Sequence, residues 1–171
     1  QHLASHKRAA QKLGTIILDA FQFIGMSLRD APTEFMVAEY IREQLQRNGL
    51  WTDEGPIVAI NAHASDPHYQ PTQEESHSIG QGDWVLIDLW AKESLEDGMF
   101  ADITWTAYVG NEVPQKHQDV FLAVTGARDA ALEYLVQRSG DGTYPQGWEV
   151  DEVAREHIAR AGYGPYFNHR L

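Results

Sequence analysis

Two aspartates in neighbouring strand-like segments are the residues of this chain that most clearly suggest chemistry. Asp88 lies in the run Trp84–Trp90, and Asp102 lies near the start of the run Phe100–Gly110. An ionised carboxylate among apolar neighbours is unfavourable unless it is paired, hydrogen-bonded or bound to a metal. Two such carboxylates suggest a divalent-cation site, although isolated aspartates in strands are more often edge or turn residues in water. Oxygen ligands of this kind suit Mn, Mg, Zn, Co or Fe(II).

The segments that carry these aspartates are predicted to form an antiparallel hairpin. Side chains alternate between the two faces of a strand, so Asp88 points away from the most aliphatic face of its run, and Asp102 shares a polar face with Thr104. The connection between the runs is polar and contains the turn signal Asp97-Gly98. In a suitable register the two aspartates face each other about 5 Å apart at Cβ, where a shared cation would offset their repulsion.

Two helices and a strand are predicted before the hairpin. Thr33 is placed to cap the second helix, and Gly49 ends it at a position that suits a left-handed residue. The strand covers 56–61 and leads into a polar, irregular segment that extends to residue 82. Apolar residues recur at helical spacing in both helices: Leu13, Ile16, Ile17, Ala20, Phe21 and Ile24 in the first, and Met36, Val37, Tyr40, Ile41 and Leu45 in the second.

A second helix pair is predicted after the hairpin, followed by the start of a strand. The Gly140-Asp141-Gly142 sequence separates the two helices, and the fourth helix is expected near 148–161. This order of elements predicts an α+β fold, which we interpret as one domain over residues 1–171. The third helix is predicted from the stripe Val120, Phe121, Val124, Ala127, Ala131, Leu132 and Leu135.

Four short segments, taken in order along the chain, resemble those of the pita-bread metallopeptidases. This family includes methionine aminopeptidase, Xaa-Pro aminopeptidase, prolidase and creatinase. The resemblance covers nearly the whole chain and implies a pita-bread fold built from two pseudo-symmetric halves, of which the second is truncated here. The segments are Asp66-Pro67-His68-Tyr69, the run from Gly82 to Asp88, Ala101-Asp102-Ile103-Thr104 with Tyr108-Val109-Gly110, and the run from Gly162 to His169.

The resemblance implies a role for four residues. Asp88 and Asp102 match the first two metal ligands of a site that holds two divalent ions, Mn, Co, Zn or Fe, in the complete protein. His68 and His169 match residues that contact the substrate or the tetrahedral intermediate. The implied activity is hydrolysis of N-terminal peptide bonds, with Xaa-Pro peptides favoured.

The sequence departs from the family pattern in three respects. The connection between the two aspartates is a few residues longer than usual, and Trp105 stands where many Xaa-Pro peptidases carry arginine. The third departure is that the family's remaining ligands, a histidine and two glutamates, would lie beyond Leu171. Because the chain also begins with Gln1, we expect it to be an excerpt that has little or no peptidase activity alone.

Two other functions are considered beside the metallopeptidase. Some relatives of this fold have lost their ligands and act as docking surfaces for peptides or proteins, and others resemble creatinase, a metal-free hydrolase. Both functions are disfavoured because neither needs two facing carboxylates at Asp88 and Asp102.

Composition bounds the function further. The chain has 171 residues, 43% of them hydrophobic, and its 13 basic and 25 acidic residues give a net charge of −12, which argues against a nucleic-acid partner. There is no cysteine, and no apolar run approaches the ~20 residues that cross a bilayer. We therefore expect a cytoplasmic protein without a membrane partner that binds a peptide substrate, with a homodimer left open. The six histidines outside the matched segments are interpreted as surface or structural residues.

Overall fold

The chain forms four α-helices and four β-strands, in the order expected from the sequence except for the two-residue strand Leu50–Trp51, which the sequence did not predict. A computed structural model describes all 171 residues, which form a first unit, Gln1–Asn111, and a second unit, Glu112–Leu171. No helix is both long and apolar enough to span a membrane. The first unit contains α1 (His2–Ser27), α2 (Glu34–Arg47), β1 (Leu50–Trp51), β2 (Ile57–Ile60), β3 (Trp84–Glu93) and β4 (Ala101–Tyr108), and the second contains α3 (Gln115–Gly140) and α4 (Gly147–Arg160).

The sheet of the first unit is organised around β3. This strand pairs antiparallel with β1, β2 and β4, so the predicted hairpin is confirmed. Residues of β3 alternate strictly between half-buried and buried positions, and the buried set includes Val85, Ile87 and Leu89. Asp88 therefore lies on the opposite, more open face, as its position in the run predicts.

Helices α1 and α2 cover the buried face of this sheet. α1 contacts β3, β4 and α2, and its buried residues include five of the six in the predicted stripe, with Phe21 partly buried beside them. In α2 the expected burial of Met36 is wrong: its side chain is 48% exposed, and the buried face is formed by Val37, Ala38, Ile41 and Leu45 together with Glu34.

Local end signals fix the limits of α2. The backbone N–H of Met36 donates to Thr33 Oγ1 at 3.2 Å, which confirms the predicted N-cap. This bond places Met36 in the first turn, on the side that faces solvent. Gly49 follows the helix with a φ of +66°, a conformation that glycine adopts without strain, as predicted.

The second unit consists of a helix pair without a sheet. α3 buries only Ala123, Ala127 and Ala131, and α4 buries Ala154 and Ile158. The prediction that Phe121, Val124, Leu132 and Leu135 lie on the buried face is wrong, since all four side chains are exposed. The expected start of a strand is also wrong: after α4 the chain forms a single 3-10 turn at Gly164–Tyr166.

Candidate functional site

The first unit has a pocket of about 460 Å³ on the open face of the sheet, a size typical of small-ligand sites. Three of the four predicted site residues, His68, Asp88 and Asp102, line it together. The remaining lining residues come from the loop before β2, from β2 and β3, and from the segment on either side of His68: Glu54, Ile57, Pro67, Tyr69, Gln70 and Trp90.

The register of the hairpin decides how Asp88 and Asp102 are related. Asp88 pairs with Thr104, and Trp90 pairs with Asp102, so the two aspartates share one face but are diagonal neighbours. The expectation that they lie directly opposite each other is therefore wrong. Each aspartate lies opposite the residue that is two positions away from the other aspartate. Diagonal side chains are about 7–8 Å apart at the backbone and still reach one another.

The carboxylate of Asp88 acts on the carboxyl group of Asp102. The pKa of Asp102 is raised above its ordinary value. The largest cause is partial desolvation, and the negative charge of Asp88 and a side-chain hydrogen bond to Asp88 add to it. Thr104 Oγ1 donates a hydrogen bond to Asp88 Oδ1 at 2.7 Å, which fixes the Asp88 carboxylate. No lysine or arginine lines the pocket to offset this charge. Two oxygen donors with unfavourable mutual charge suit a divalent cation, so these residues fit the ligands that the family resemblance implies.

His68 reaches the pocket on the irregular segment that follows β2. Asn61 adopts a φ of +48° at the end of β2, and its side-chain amide donates to Asp83 Oδ1 at 2.8 Å. Further along, the His68 N–H donates to Asp66 Oδ1 at 2.9 Å, and the Tyr69 N–H donates to the Asp66 carbonyl at 3.1 Å. This local turn of the kind that aspartate favours presents the His68 side chain at the pocket wall.

Sequence reasoning missed a buried carboxylate behind this segment. Glu34, the first residue of α2, is completely buried. Its oxygens accept hydrogen bonds from the backbone N–H groups of Ile60 and His77 at 2.7 Å each, from the Tyr69 hydroxyl at 2.7 Å and from His63 Nδ1 at 3.0 Å. An acidic residue after an N-cap resembles an ordinary exposed helix-start charge, so the sequence carries no signal of this role.

Glu34, His63 and His77 offer potential metal-binding atoms within 4.8 Å of one another. Their arrangement does not favour a cation, because each Glu34 oxygen already accepts at least two hydrogen bonds. The His63 and His77 rings are stacked, with centroids 4.4 Å apart. Both histidines thus fit the structural interpretation made from the sequence.

Six other pocket residues were not predicted as site residues, among them Trp90 and Glu54. Trp90 could have been found, since it shares the face of Asp88 two positions along the strand. Its Nε1–H donates to Asp53 Oδ1 at 3.0 Å, and this bond is the main cause that lowers the pKa of Asp53. Glu54, which follows in the same loop, has no sequence signal of its own. The pair Asp53 and Trp90 fixes the loop that carries Glu54 beside the pocket.

The fourth predicted site residue, His169, lies in the second unit. It is exposed, and its Nδ1 is 2.6 Å from the carbonyl oxygen of Arg170. All residues that line the pocket belong to the first unit. A substrate-binding role for His169 therefore stays a prediction.

Comparison with curated proteins gives relatives of one functional class. A Xaa-Pro dipeptidase of Lactobacillus delbrueckii subsp. lactis is 31% identical over 156 residues, which is 89% of this chain and 38% of that protein. A putative Xaa-Pro aminopeptidase of Mycoplasma pneumoniae is 28% identical over 99% of the chain and 45% of its own length. The chain thus spans less than half the length of these relatives.

Solved structures agree with the sequence comparison. The X-Pro aminopeptidase of Thermotoga maritima superposes with a TM-score of 0.72 at 25% identity, over 96% of this chain and 42% of its own. The prolidase of Pyrococcus furiosus gives 0.66 at 24% identity, over 98% and 42%. These neighbours confirm the predicted α+β class and pita-bread fold. The sequence profile of metallopeptidase family M24 matches residues 5–171, and this chain belongs to that family.

Proposed function

We propose that this chain provides part of the active site of a Xaa-Pro peptidase, with Asp88 and Asp102 as metal ligands and His68 as a substrate contact. The observation that carries the proposal is the pocket in which these three side chains meet without a lysine or arginine. The raised pKa of Asp102 beside Asp88 supports it, because a cation would relieve that interaction.

The names of the relatives support the substrate class. Proteins similar to this chain over most of its length are named Xaa-Pro dipeptidase and Xaa-Pro aminopeptidase. We therefore propose that the whole protein hydrolyses the N-terminal bond of short peptides in which proline is the second residue. Two divalent cations, with manganese as one candidate, would serve the reaction, as the family resemblance implies.

The residues of the pocket can each perform part of such a hydrolysis. When bound, a divalent cation supplies Lewis acidity and activates water. Thr104 holds the Asp88 carboxylate in one orientation through its 2.7 Å hydrogen bond, so that ligand is preorganised. The His68 imidazole can donate a hydrogen bond where negative charge develops on the scissile carbonyl oxygen. Ile57 and Trp90 supply apolar wall for a proline ring, and Glu54 can accept a hydrogen bond from the substrate amine.

The chain alone should bind metal weakly and have little or no peptidase activity. It contains two of the five ligands that the family resemblance implies, and metal affinity depends on the number of ligands and on the groups that orient them. The cytoplasmic location, the absence of nucleic-acid and membrane partners, and a homodimer remain predictions from the sequence.

Metal titration of the purified chain tests the proposal. Binding of Mn²⁺ by calorimetry, and of Co²⁺ by its visible absorption, should be detectable in the wild type and at least about tenfold weaker in Asp88→Asn and Asp102→Asn, since each change removes an anionic ligand. Asp129→Asn, which removes an exposed aspartate of α3, is the matched control and should leave the affinity unchanged. Equal affinity in all four proteins would refute the assignment of Asp88 and Asp102.

The same titration distinguishes the metallopeptidase from the two alternative functions raised by the sequence. A peptide-docking module or a metal-free hydrolase of the creatinase type would show no Co²⁺ spectrum that depends on Asp88 and Asp102. An assay of the chain with added Mn²⁺ or Co²⁺ against Xaa-Pro peptides tests the expected lack of activity separately. Substantial turnover there would show that the remaining ligands are not required.

A further inference from the structure

We propose that Glu34 is a positioning residue that holds His68 at the pocket through the segment that connects β2 to β3. This inference rests on the proposed function for the role of His68. Glu34 does not line the pocket. It would act on the substrate only through the loop that it anchors.

Glu34 accepts hydrogen bonds from the residue that precedes that loop and from three residues within it. The Ile60 N–H donates from the last residue of β2, and the His77 N–H donates from the far side of the loop. Between them in the sequence, His63 donates from Nδ1 before His68, and Tyr69 donates from its hydroxyl directly after His68. One carboxylate on α2 thus fixes the last residue of β2 and three points of the connecting segment.

Tyr69 links this anchor directly to the site. It is the next residue after His68, and both line the pocket with Gln70. Burial and the hydrogen bond to Glu34 raise the pKa of Tyr69, so its hydroxyl keeps the proton that it donates. The Tyr69 ring also stacks on His63 with centroids 4.1 Å apart. Movement of Glu34 would therefore move the backbone that carries the His68 imidazole.

The part of the connecting segment around His68, residues 62–76, depends on such an anchor because its other hydrogen bonds are local. The later part is also held by the Ile79 N–H on the Pro32 carbonyl and by the Gly82 N–H on the Val109 carbonyl, at 2.8 Å each. Residues 61–83 contain one short 3-10 helix, His63–Ser65, and no strand; a single bridge joins Ser78 to Thr33. A buried carboxylate surrounded by four donors is stable only while those donors stay in place. The loop and Glu34 consequently fix each other, while Asp88 and Asp102 are held independently by the β3–β4 pairing.

Amide exchange on the full 171-residue chain tests the proposal without any metal. The variants are Glu34→Gln and Tyr69→Phe, and the control is Glu43→Gln, which changes an exposed glutamate of the same helix. The reporters are the backbone amides of Asp66 and Tyr69. The Asp66 amide donates to the His63 carbonyl and the Tyr69 amide to the Asp66 carbonyl, so neither donates to Glu34. An amide oxygen can replace only one carboxylate oxygen, so we expect exchange at these reporters to be about tenfold faster or more in Glu34→Gln.

The comparison with β3 separates positioning from general stability. We expect Tyr69→Phe to accelerate the loop reporters a few-fold, and the Leu89 amide of β3 to be unchanged in Tyr69→Phe and in the control. Unchanged loop exchange in Tyr69→Phe and Glu34→Gln would overturn the proposal, as would equal acceleration of the loop and of β3. If Glu34→Gln does not fold, Tyr69→Phe decides by the same criteria.

A spectroscopic measurement then connects the loop to the site. Mn²⁺ bound at Asp88 and Asp102 should broaden the imidazole signal of His68 in the wild type, and this broadening should decrease in Glu34→Gln at equal Mn²⁺ occupancy. Undiminished broadening would contradict the positioning role. If the wild type does not bind Mn²⁺, the proposed function fails, and the metal-free exchange rates still decide the role of Glu34.

Discussion

The two units begin with helix pairs of identical lengths, 26 and 14 residues in each, yet the long helices bury different residues. α1 buries seven residues, among them four large aliphatic ones, whereas α3 buries three alanines. α1 packs on a sheet as well as on α2, while the second unit contains only helices. Helix length is thus a local property here, whereas the buried face depends on what the helix packs against.

Alanine explains the packing of the second pair. Ala123, Ala127 and Ala131 recur every four residues and form one narrow stripe on α3. Small side chains let α3 and Ala154 of α4 approach closely. The large apolar residues of α3 lie on another face and remain exposed: Phe121, Leu122, Val124, Leu132, Leu135 and Val136.

Truncation of one leucine in each long helix should give the largest contrast between the units. Leu13 is fully buried in α1, so Leu13→Ala should lower the free energy of unfolding by about 2–5 kcal/mol through lost burial and a cavity. Leu132 is 58% exposed in α3, and Leu132→Ala should change it by less than about 0.5 kcal/mol. Urea unfolding measures both values. Equal losses would mean that the exposed face of α3 is covered in solution.

Enlarging the alanine stripe should have a smaller effect that is confined to the second unit. Ala127 is 4% exposed, and Ala127→Leu should destabilise the α3–α4 pair by about 1–3 kcal/mol because the added atoms have no space. Val124→Leu on the exposed face is the control and should be nearly neutral. Thermal unfolding followed by circular dichroism measures the change. Tolerance of leucine at position 127 would show that the two helices are not closely packed there.

Removal of the N-caps of the two short helices, α2 and α4, should lower the free energy of unfolding by amounts that differ even less. Thr33→Ala removes the hydroxyl that accepts from Met36 and should lower the stability of the first unit by about 1 kcal/mol. Gln146 and Glu149 form a reciprocal cap on α4, and Gln146→Ala leaves the Glu149 bond to the residue 146 N–H in place. We therefore expect a smaller loss for Gln146→Ala in chemical unfolding. A larger loss there would reverse this order.

Local sequence signals predicted most of the elements correctly. Periodicity gave the four helices, and the Thr33 cap and Gly49 marked the ends of α2 where the structure has them. Alternation placed Asp88 on the open face of β3. Each of these features depends on residues within one or two turns or strand positions, which is why one sequence is sufficient to predict them.

Features that depend on distant partners were not predictable in the same way. The diagonal relation of Asp88 and Asp102 depends on strand register, which alternation along each strand does not determine. Burial of Glu34 depends on donors that are 26 to 43 residues away. The pocket role of Glu54 likewise arises only when its loop meets β3. The family resemblance supplied His68 as a candidate, and the fold brought it beside the two aspartates.

The smallest expected change is an increase in stability, and it comes from substitution of the proposed metal ligand Asp102. Because the folded protein raises the pKa of Asp102 above its ordinary value of 3.8, ionisation of this group opposes folding. Without metal, Asp102→Asn should therefore be slightly more stable than the wild type at neutral pH.

The pH dependence identifies the cause. The excess stability of Asp102→Asn should be absent below about pH 3.8, where the wild-type carboxyl is protonated in both states, and should grow as the pH rises through the raised folded value. Urea unfolding of the variant and the wild type at a series of pH values in the presence of a chelator measures this difference. An Asp102→Asn protein that is less stable than the wild type at neutral pH would mean that Asp102 stabilises the hairpin, and the electrostatic basis for a cation at this pocket would be lost.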